Sequence, residues 1–250
     1  MTYCCGILVE QGLVMIADTR TNAGLDNIST FRKLHLFETP GGSVIMLASA
    51  GNLSFTQNVL NHLIEGVKQP DSDEVERIEE TLSMTKAAEL VGRTIRMVRD
   101  VGGGAFQEAS ISFLLGGQIA GRRLRLFMIY SAGNFIECTT DAPYLQIGEH
   151  KYGKPILDRA IKFDTDLYDA LKIGLISMDS TMRSNLGVGL PIDIAVLRRG
   201  ATATEVNTRI DIDDGYFHDL RDRWSTALKK AHLAIPRPPY GPKVNGANGE

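Results

Sequence analysis

Long apolar runs are missing from this sequence. None approaches the roughly 20 residues that a membrane-crossing helix needs, so no membrane association is expected. The first residues lack the charged start, apolar run and small-residue cleavage site of a signal peptide. The start of the chain is therefore expected to be the start of the domain. Cysteine is scarce: only Cys4, Cys5 and Cys138 are present. Adjacent cysteines rarely pair with each other, three leave one over, and no spacing fits a zinc knuckle or a redox pair. Reduced thiols in a cytoplasmic protein are expected. On a strand Cys4 and Cys5 would face opposite ways, which puts at least one of them in the core. A basic stripe and an acidic tail are missing too. The formal net charge is −3, with both signs spread along the chain, which leaves no footprint for nucleic acid. Neither a metal nor another cofactor is expected.

What is present reads as one large folded domain. The 250 residues are 43% hydrophobic, enough for a substantial core. Residues 2–9 and 13–17 are strand-like and nearly all apolar, joined by Glu10-Gln11-Gly12 as a hairpin turn. An alternating strand falls at 33–37, with Leu34 and Leu36 opposite Lys33, His35 and Phe37, and an apolar strand at 43–50. Asn52 then stands where a helix N-cap belongs, ahead of Val59, Leu60, Leu63, Ile64 and Val67 at helical spacing. After Pro70-Asp71-Ser72-Asp73, a longer helix is expected to carry Val75, Ile78, Leu82, Val91, Ile95 and Val98, with Gly102-Gly103-Gly104 stopping it.

Strands are expected next at 109–115, 124–130 and 135–140, with Gly116-Gly117 following the first. Helices are expected near 153–161 and over 167–182, then strands at 192–197 and 205–210. The order is strands, helix pair, strands, helix pair, strands. It fits an α+β, four-layer αββα sandwich, because strands apolar on both faces belong between another sheet and a helix layer. Residues 213–233 predict one more helix, with Phe217, Leu220, Trp224, Leu228 and Ala231 along it. The Pro-rich segment after it and the Gly- and Asn-rich last residues predict an extended or disordered tail. The expected division is a domain over 1–211, a helical extension over 212–235 and a tail over 236–250.

The chemistry starts at Thr2. A small second residue permits removal of Met1, which would leave one residue holding both a hydroxyl nucleophile and a free α-amine. That amine, with an ordinary pKa of about 7.7–8.0, can take a proton near neutrality. By itself Met-Thr is a commonplace start. Asp18 ends the second strand of the hairpin, and Lys33 opens the next. An ammonium beside the amine disfavours a second positive charge and keeps the amine basic. Alone, these two are an ordinary strand-end carboxylate and an ordinary surface lysine. Gly51, in Ala48-Ser49-Ala50-Gly51-Asn52, lies at a strand-to-helix junction, where its N–H can serve as an oxyanion donor or where it is a plain turn glycine.

Taken together, an N-terminal Thr, Gly12-Leu13-Val14-Met15-Ile16-Ala17-Asp18-Thr19-Arg20, Lys33 and Ser49-Ala50-Gly51 resemble β-subunits of the proteasome and of the simpler bacterial proteasome-like protease. Tyr144–Gly148, 167–182 and Pro191-Ile192-Asp193-Ile194-Ala195-Val196 resemble later elements of that fold. Thr21-Asn22-Ala23-Gly24 and Asp26-Asn27-Ile28 narrow the resemblance to the Anbu family, bacterial "ancestral β-subunit" proteins, over about residues 2–235. The resemblance implies an N-terminal-nucleophile threonine protease or amide hydrolase. In it Thr2 is nucleophile and base, Asp18 and Lys33 set its ionisation, and Gly51 supplies the oxyanion donor. The strand around Thr21, Asn22 and Ala23 would pair with an extended peptide or amide substrate. A homo-oligomer is implied, as a ring or a shallow helical stack. The sequence has no ATPase domain, so unfolding a protein substrate would require a separate partner.

There are departures from the pattern. The family's proteasome relatives commonly place Ser after the glycine that matches Gly148, and Glu149 stands there instead. A carboxylate at that point would either raise the amine's basicity or block the site. Asp179 matches an outer Asp, whereas Ser180 and Ser184 are only rough counterparts of the Ser that follows it. Two other readings stay open: a structural subunit that has lost the chemistry, and a small-amide hydrolase that does not degrade protein.

Overall fold

The opening hairpin is apolar on both faces because both faces are covered. Strands β1 (Tyr3–Val9) and β2 (Gly12–Asp18) are buried at all seven positions each. The computed structural model describes residues 1–22, 28–69 and 73–240. Ala23, Gly24, Asp26, Asn27 and the last ten residues of the expected tail lie outside the described residues.

A short ribbon of β3 (Arg20–Asn22) and β4 (Ile28–Thr30) follows. Next come β5 (Leu34–Glu38), β6 (Val44–Gly51) and helix α1 (Leu53–Glu65). Asn52 caps α1 as its sequence position suggests, its side chain accepting the Phe55 N–H. The small ribbon β7 (Val67–Lys68) and β8 (Val75–Glu76) leads through a 3₁₀ turn, Ile78–Glu80, to α2 (Met84–Gly102) and the short α3 (Gly104–Gln107). Strands β9 (Ile111–Gln118), β10 (Arg125–Tyr130), β11 (Phe135–Glu137) and β12 (Tyr144–Gly148) precede α4 (His150–Ala160) and α5 (Leu167–Ser184). Strands β13 (Ile192–Arg198) and β14 (Val206–Ile210) end this part of the chain, and α6 (Gly215–Ala234) follows.

The result is a mixed α/β protein with two antiparallel five-stranded sheets, ordered β12-β1-β2-β13-β14 and β11-β10-β9-β6-β5. Strand periodicity of two assigns the side chains. In β6, Val44, Met46 and Ala48 join Cys4, Leu13, Met15, Ala17 and Leu197 of the first sheet in one core. Ile45 and Leu47 point the other way, into a second core with Phe55, Val59 and Leu63 of α1 and Ala88, Val91 and Ile95 of α2. Helix α5 packs on β1 and β2, and α4 packs on α5. Full burial of each large aliphatic or aromatic side chain stabilises by about 1.5–3 kcal/mol, so the two cores hold together the sheets on which the site is built.

Three expectations are corrected. The second helix does not begin near Val75. Val75 pairs with Lys68 in the β7–β8 ribbon, Leu82 is exposed, and Ser83 starts α2 by capping the Lys86 N–H. Backbone pairing outcompetes the helical spacing there. Gly116-Gly117 does not follow the strand expected at 109–115 but belongs to it: β9 runs through both, which pair with Met46 and Ile45. The absent side chain at Gly116 makes room for Leu13 of the facing sheet. Helix α4 starts three residues earlier than expected, without a side-chain cap at Glu149 to signal it.

Two compact units are distinguished, Met1–Asp214 and a second one beginning at Gly215. In α6, Phe217 and Leu220 are buried while Leu228 is exposed, and the Arg221 guanidinium lies over the Phe217 ring at 5.8 Å. Among the described residues no helix is long and apolar enough to cross a membrane. The three cysteines are free and buried.

Candidate active site

Strand β1 fixes the residue that precedes it. Tyr3 pairs with Gly148 of β12, and the Thr2 carbonyl accepts the Glu149 N–H at 2.7 Å. Gly148 adopts φ +80°, and a side chain there would lie 1.9 Å from the Thr2 carbonyl oxygen, so only glycine lets the two strands close on Thr2. Thr2 is 9% exposed.

Beside it, Asp18 ends β2 with no exposed surface. One carboxylate oxygen, Oδ1, accepts the Tyr3 N–H at 3.0 Å and the Lys33 ammonium at 2.8 Å. The other, Oδ2, accepts the Arg20 N–H at 3.1 Å. Burial holds the Asp18 carboxyl above its ordinary value; the Lys33 charge and hydrogen bond, with the backbone N–H groups of Tyr3 and Gly189, oppose that shift without cancelling it. Lys33 lies immediately before β5, held to the sheet by its carbonyl, which accepts the Ser49 N–H. Its ammonium also donates to the Arg20 carbonyl at 2.7 Å and the Met1 carbonyl at 3.4 Å. That uses all three of its donors.

Gly51 closes β6 at φ +113°, where a Cβ would sit 2.1 Å from the Ser110 carbonyl. A cavity of about 590 Å³ opens over these residues, lined by Thr2, Thr21, Lys33, Ser49, Gly51 and Glu149 among others. Asp18 lies behind Lys33 and does not reach the wall. Asn22 belongs to β3 by its backbone. Asp179 is buried in α5 and accepts the Arg183 guanidinium. Ser180 donates back to the Ile176 carbonyl, and Ser184 is exposed. None of these three lines the cavity. A larger neighbouring cavity of about 1040 Å³ shares Gly51, Ser110 and Gly148 along its rim, but Thr2 and Lys33 face only the smaller one. Among the described residues no group of three or more His, Cys, Asp or Glu side chains is arranged to hold a metal ion.

Solved structures share this architecture. An Anbu (ancestral β-subunit) structure from Yersinia bercovieri aligns with a TM-score of 0.88 at 46% identity, covering 96% of this chain and 100% of the other. Anbu from Hyphomicrobium sp. strain MC1 aligns at 0.86 and 46%, covering 94% and 98%. The chain belongs to the Anbu family. A further member, from Pseudomonas aeruginosa, aligns at 0.87 and 43% over 95% of this chain and 98% of its own, in a structure described as a helical assembly of the Anbu complex. The family is proteasome-β-like. No protein-family model and no curated protein matches the chain.

Several residues of the site carry no signature in the sequence. Tyr3 contributes its N–H to Asp18, and its phenol is held below by Ser177 at 2.6 Å and by Gln146. Arg20 contributes a carbonyl to Lys33, while its guanidinium donates to the Leu186 carbonyl. Backbone groups are available to every residue type, so no residue identity announces them. Gly148 did have a signal: a glycine closing a strand directly opposite the chain start.

Proposed function

We propose that this family member is a threonine-type hydrolase whose working form begins at Thr2. The observation that carries the reading is that Thr2, Lys33 and Gly51 line one cavity, with Asp18 fixed against Lys33. In this reading residues 1–211 form a four-layer αββα hydrolase domain, followed by a helical extension over 212–235 and a tail over 236–250.

Once Met1 is removed, the Thr2 hydroxyl attacks an amide carbonyl while its proton passes to the Thr2 α-amine. The Gly51 N–H stabilises the resulting oxyanion. The amine then gives the proton to the leaving nitrogen as the C–N bond breaks, leaving an acyl ester on Thr2 Oγ. Water, relieved of a proton by the same amine, hydrolyses the ester. Lys33, its charge locked in place by Asp18 and the Arg20 carbonyl, disfavours protonation of the amine and keeps it a base. The outer edge of β3, next to Thr21, offers backbone groups to an extended peptide or amide. The working protein is a homo-oligomer, as the helical assembly of the Pseudomonas aeruginosa relative suggests.

The test is turnover of a panel of fluorogenic peptide and small amides by wild type and Thr2→Ala. The reading requires cleavage of at least one amide by wild type and none by the variant. Equal turnover of a cleaved amide by both proteins excludes Thr2 as nucleophile.

A further inference from the structure

Glu149 stands at the N-terminal end of α4, yet its carboxylate makes no capping hydrogen bond to the helix. Its backbone, by contrast, is committed to Thr2 through the 2.7 Å bond to the Thr2 carbonyl. The pairing of Tyr3 with Gly148 leaves Thr2 and Glu149 as adjoining residues one step further along, and both line the same cavity. Oxygen Oε2 of Glu149 is buried and has no hydrogen-bond partner among the described residues. The ammonium paired with it, that of Lys151, is 3.8 Å away on an exposed side chain, beyond hydrogen-bonding distance. A buried carboxylate oxygen without a hydrogen-bond donor is costly, so this oxygen is open to a further donor.

Most other charged groups nearby are engaged. Lys33, ahead of β5, donates to Asp18, to the Arg20 carbonyl and to the Met1 carbonyl, the last of which leaves with Met1. Asp18 of β2 is bonded to Lys33 and backbone N–H groups. The Arg20 guanidinium of β3 donates through Nη1 to the Leu186 carbonyl, while its Nε is buried without a hydrogen-bond partner. In α4, the His150 ring bonds the Gly148 carbonyl and Lys154 pairs with Asp158. Asp179 of α5 pairs with Arg183. Hydrolysis of the Met1–Thr2 amide removes Met1, which lines this cavity, together with its own α-ammonium, and leaves in its place the α-ammonium of Thr2, tethered beside Glu149.

We propose that Glu149 is the partner of the Thr2 α-amine, a positioning residue whose free carboxylate oxygen receives the amine's protonated form. The proposal rests on the reading of Thr2 as nucleophile and base. As the Thr2 O–H bond breaks and Oγ bonds the substrate carbon, the proton makes the amine an ammonium, and Glu149 stabilises that charge until the leaving nitrogen takes the proton. Lys33 and Glu149 then act in opposite senses. Lys33 makes the amine harder to protonate, Glu149 makes it easier, and the balance holds it near neutrality while the carboxylate fixes its direction.

The test uses full-length chain released from an N-terminal ubiquitin fusion, so that it begins at Thr2 whatever the cell's own processing. The pH dependence of α-amine acylation, read by mass spectrometry of the N-terminal peptide, gives the amine's titration midpoint without any need for turnover. Glu149→Gln should lower that midpoint by about one unit or more, because it removes an opposite charge in contact. Glu149→Asp, which keeps the charge, should fall between the two. On a cleaved amide, Glu149→Gln should lose kcat with little change in KM, and the acid limb of its rate profile should move to lower pH. An unchanged midpoint in Glu149→Gln overturns the pairing, whether or not the protein turns over. A shifted midpoint in a protein that cleaves nothing supports the pairing and removes the hydrolase reading instead.

Discussion

The Lys33 ammonium and the Asp18 carboxylate lie 2.8 Å apart, both almost fully withdrawn from solvent. Burial of each charge is tolerable only because the other is there. Asp18→Ala should therefore destabilise the fold by about 3–5 kcal/mol, since it leaves a buried ammonium without its anion. Calorimetric unfolding checks this; an unchanged Tm would mean that Lys33 finds water in the native state. Lys33→Ala should abolish most turnover and move the acid limb of any residual pH–rate profile upward, because an amine without a neighbouring cation protonates more easily.

Gly51→Ala tests the oxyanion corner. Its backbone conformation disfavours a side chain by about 1–3 kcal/mol, and the new methyl would also collide with the Ser110 carbonyl. Reduced thermal stability is expected. The accompanying displacement of the N–H should cost about 10²–10³ in kcat, the range for losing one oxyanion donor. Full activity in a destabilised Gly51→Ala protein would assign the oxyanion to another donor.

The buried thiols give a pH dependence with a definite sign. Burial pushes Cys5 up to about 12, and burial with the nearby Glu137 charge does the same for Cys138. An unfolded thiol ionises near about 8.5, so above that pH the unfolded chain sheds protons that the folded one keeps. Their contribution to stability is whole below that value and is lost as pH climbs toward the folded-state value. Cys5→Ala should flatten the alkaline fall of the urea midpoint. Alkylation at about pH 8 should leave Cys5 unmodified until the protein unfolds.

Assembly is open to a direct measurement. In α6, Leu228 and Leu233 are 50% and 75% exposed, and a relative forms a helical assembly. Light scattering at micromolar concentration should give a mass many times 27.4 kDa, reduced when residues 213–250 are deleted. A sharp monomer mass, the same with and without those residues, contradicts the oligomer.

Much of the fold is legible in the sequence because its signals are local. The uninterrupted apolar runs of β1 and β2, Asn52 as a cap and the apolar spacing behind it each dictate an element without reference to the rest of the chain. The stretch from Val75 to Leu82 was not legible in this way. Its spacing suits a helix, and only a partner strand at Val67–Lys68 decides otherwise. The site divides similarly. Thr2, Lys33 and Gly51 stand in recognisable surroundings and meet at one cavity, with Asp18 fixed behind Lys33. The contributions of Tyr3 and Arg20 are made by main-chain atoms, and those of Ser110 and Gly148 by a carbonyl and a missing Cβ. The Glu149 oxygen that lacks a hydrogen bond is a property of the assembled cavity, visible only in the folded chain.

The central claim is that Thr2 supplies both nucleophile and base, and a peptide epoxyketone interrogates both functions at once. The hydroxyl adds to the ketone and the α-amine opens the epoxide, so a stable ring adduct forms only on a residue that carries both groups. After incubation with the reagent, intact mass and sequencing of the N-terminal peptide should show one adduct per chain, on a peptide that begins at Thr2, and none in Thr2→Ala. A protein that cleaves an amide substrate while retaining Met1 throughout, or that keeps cleaving it with no adduct at Thr2, contradicts the account.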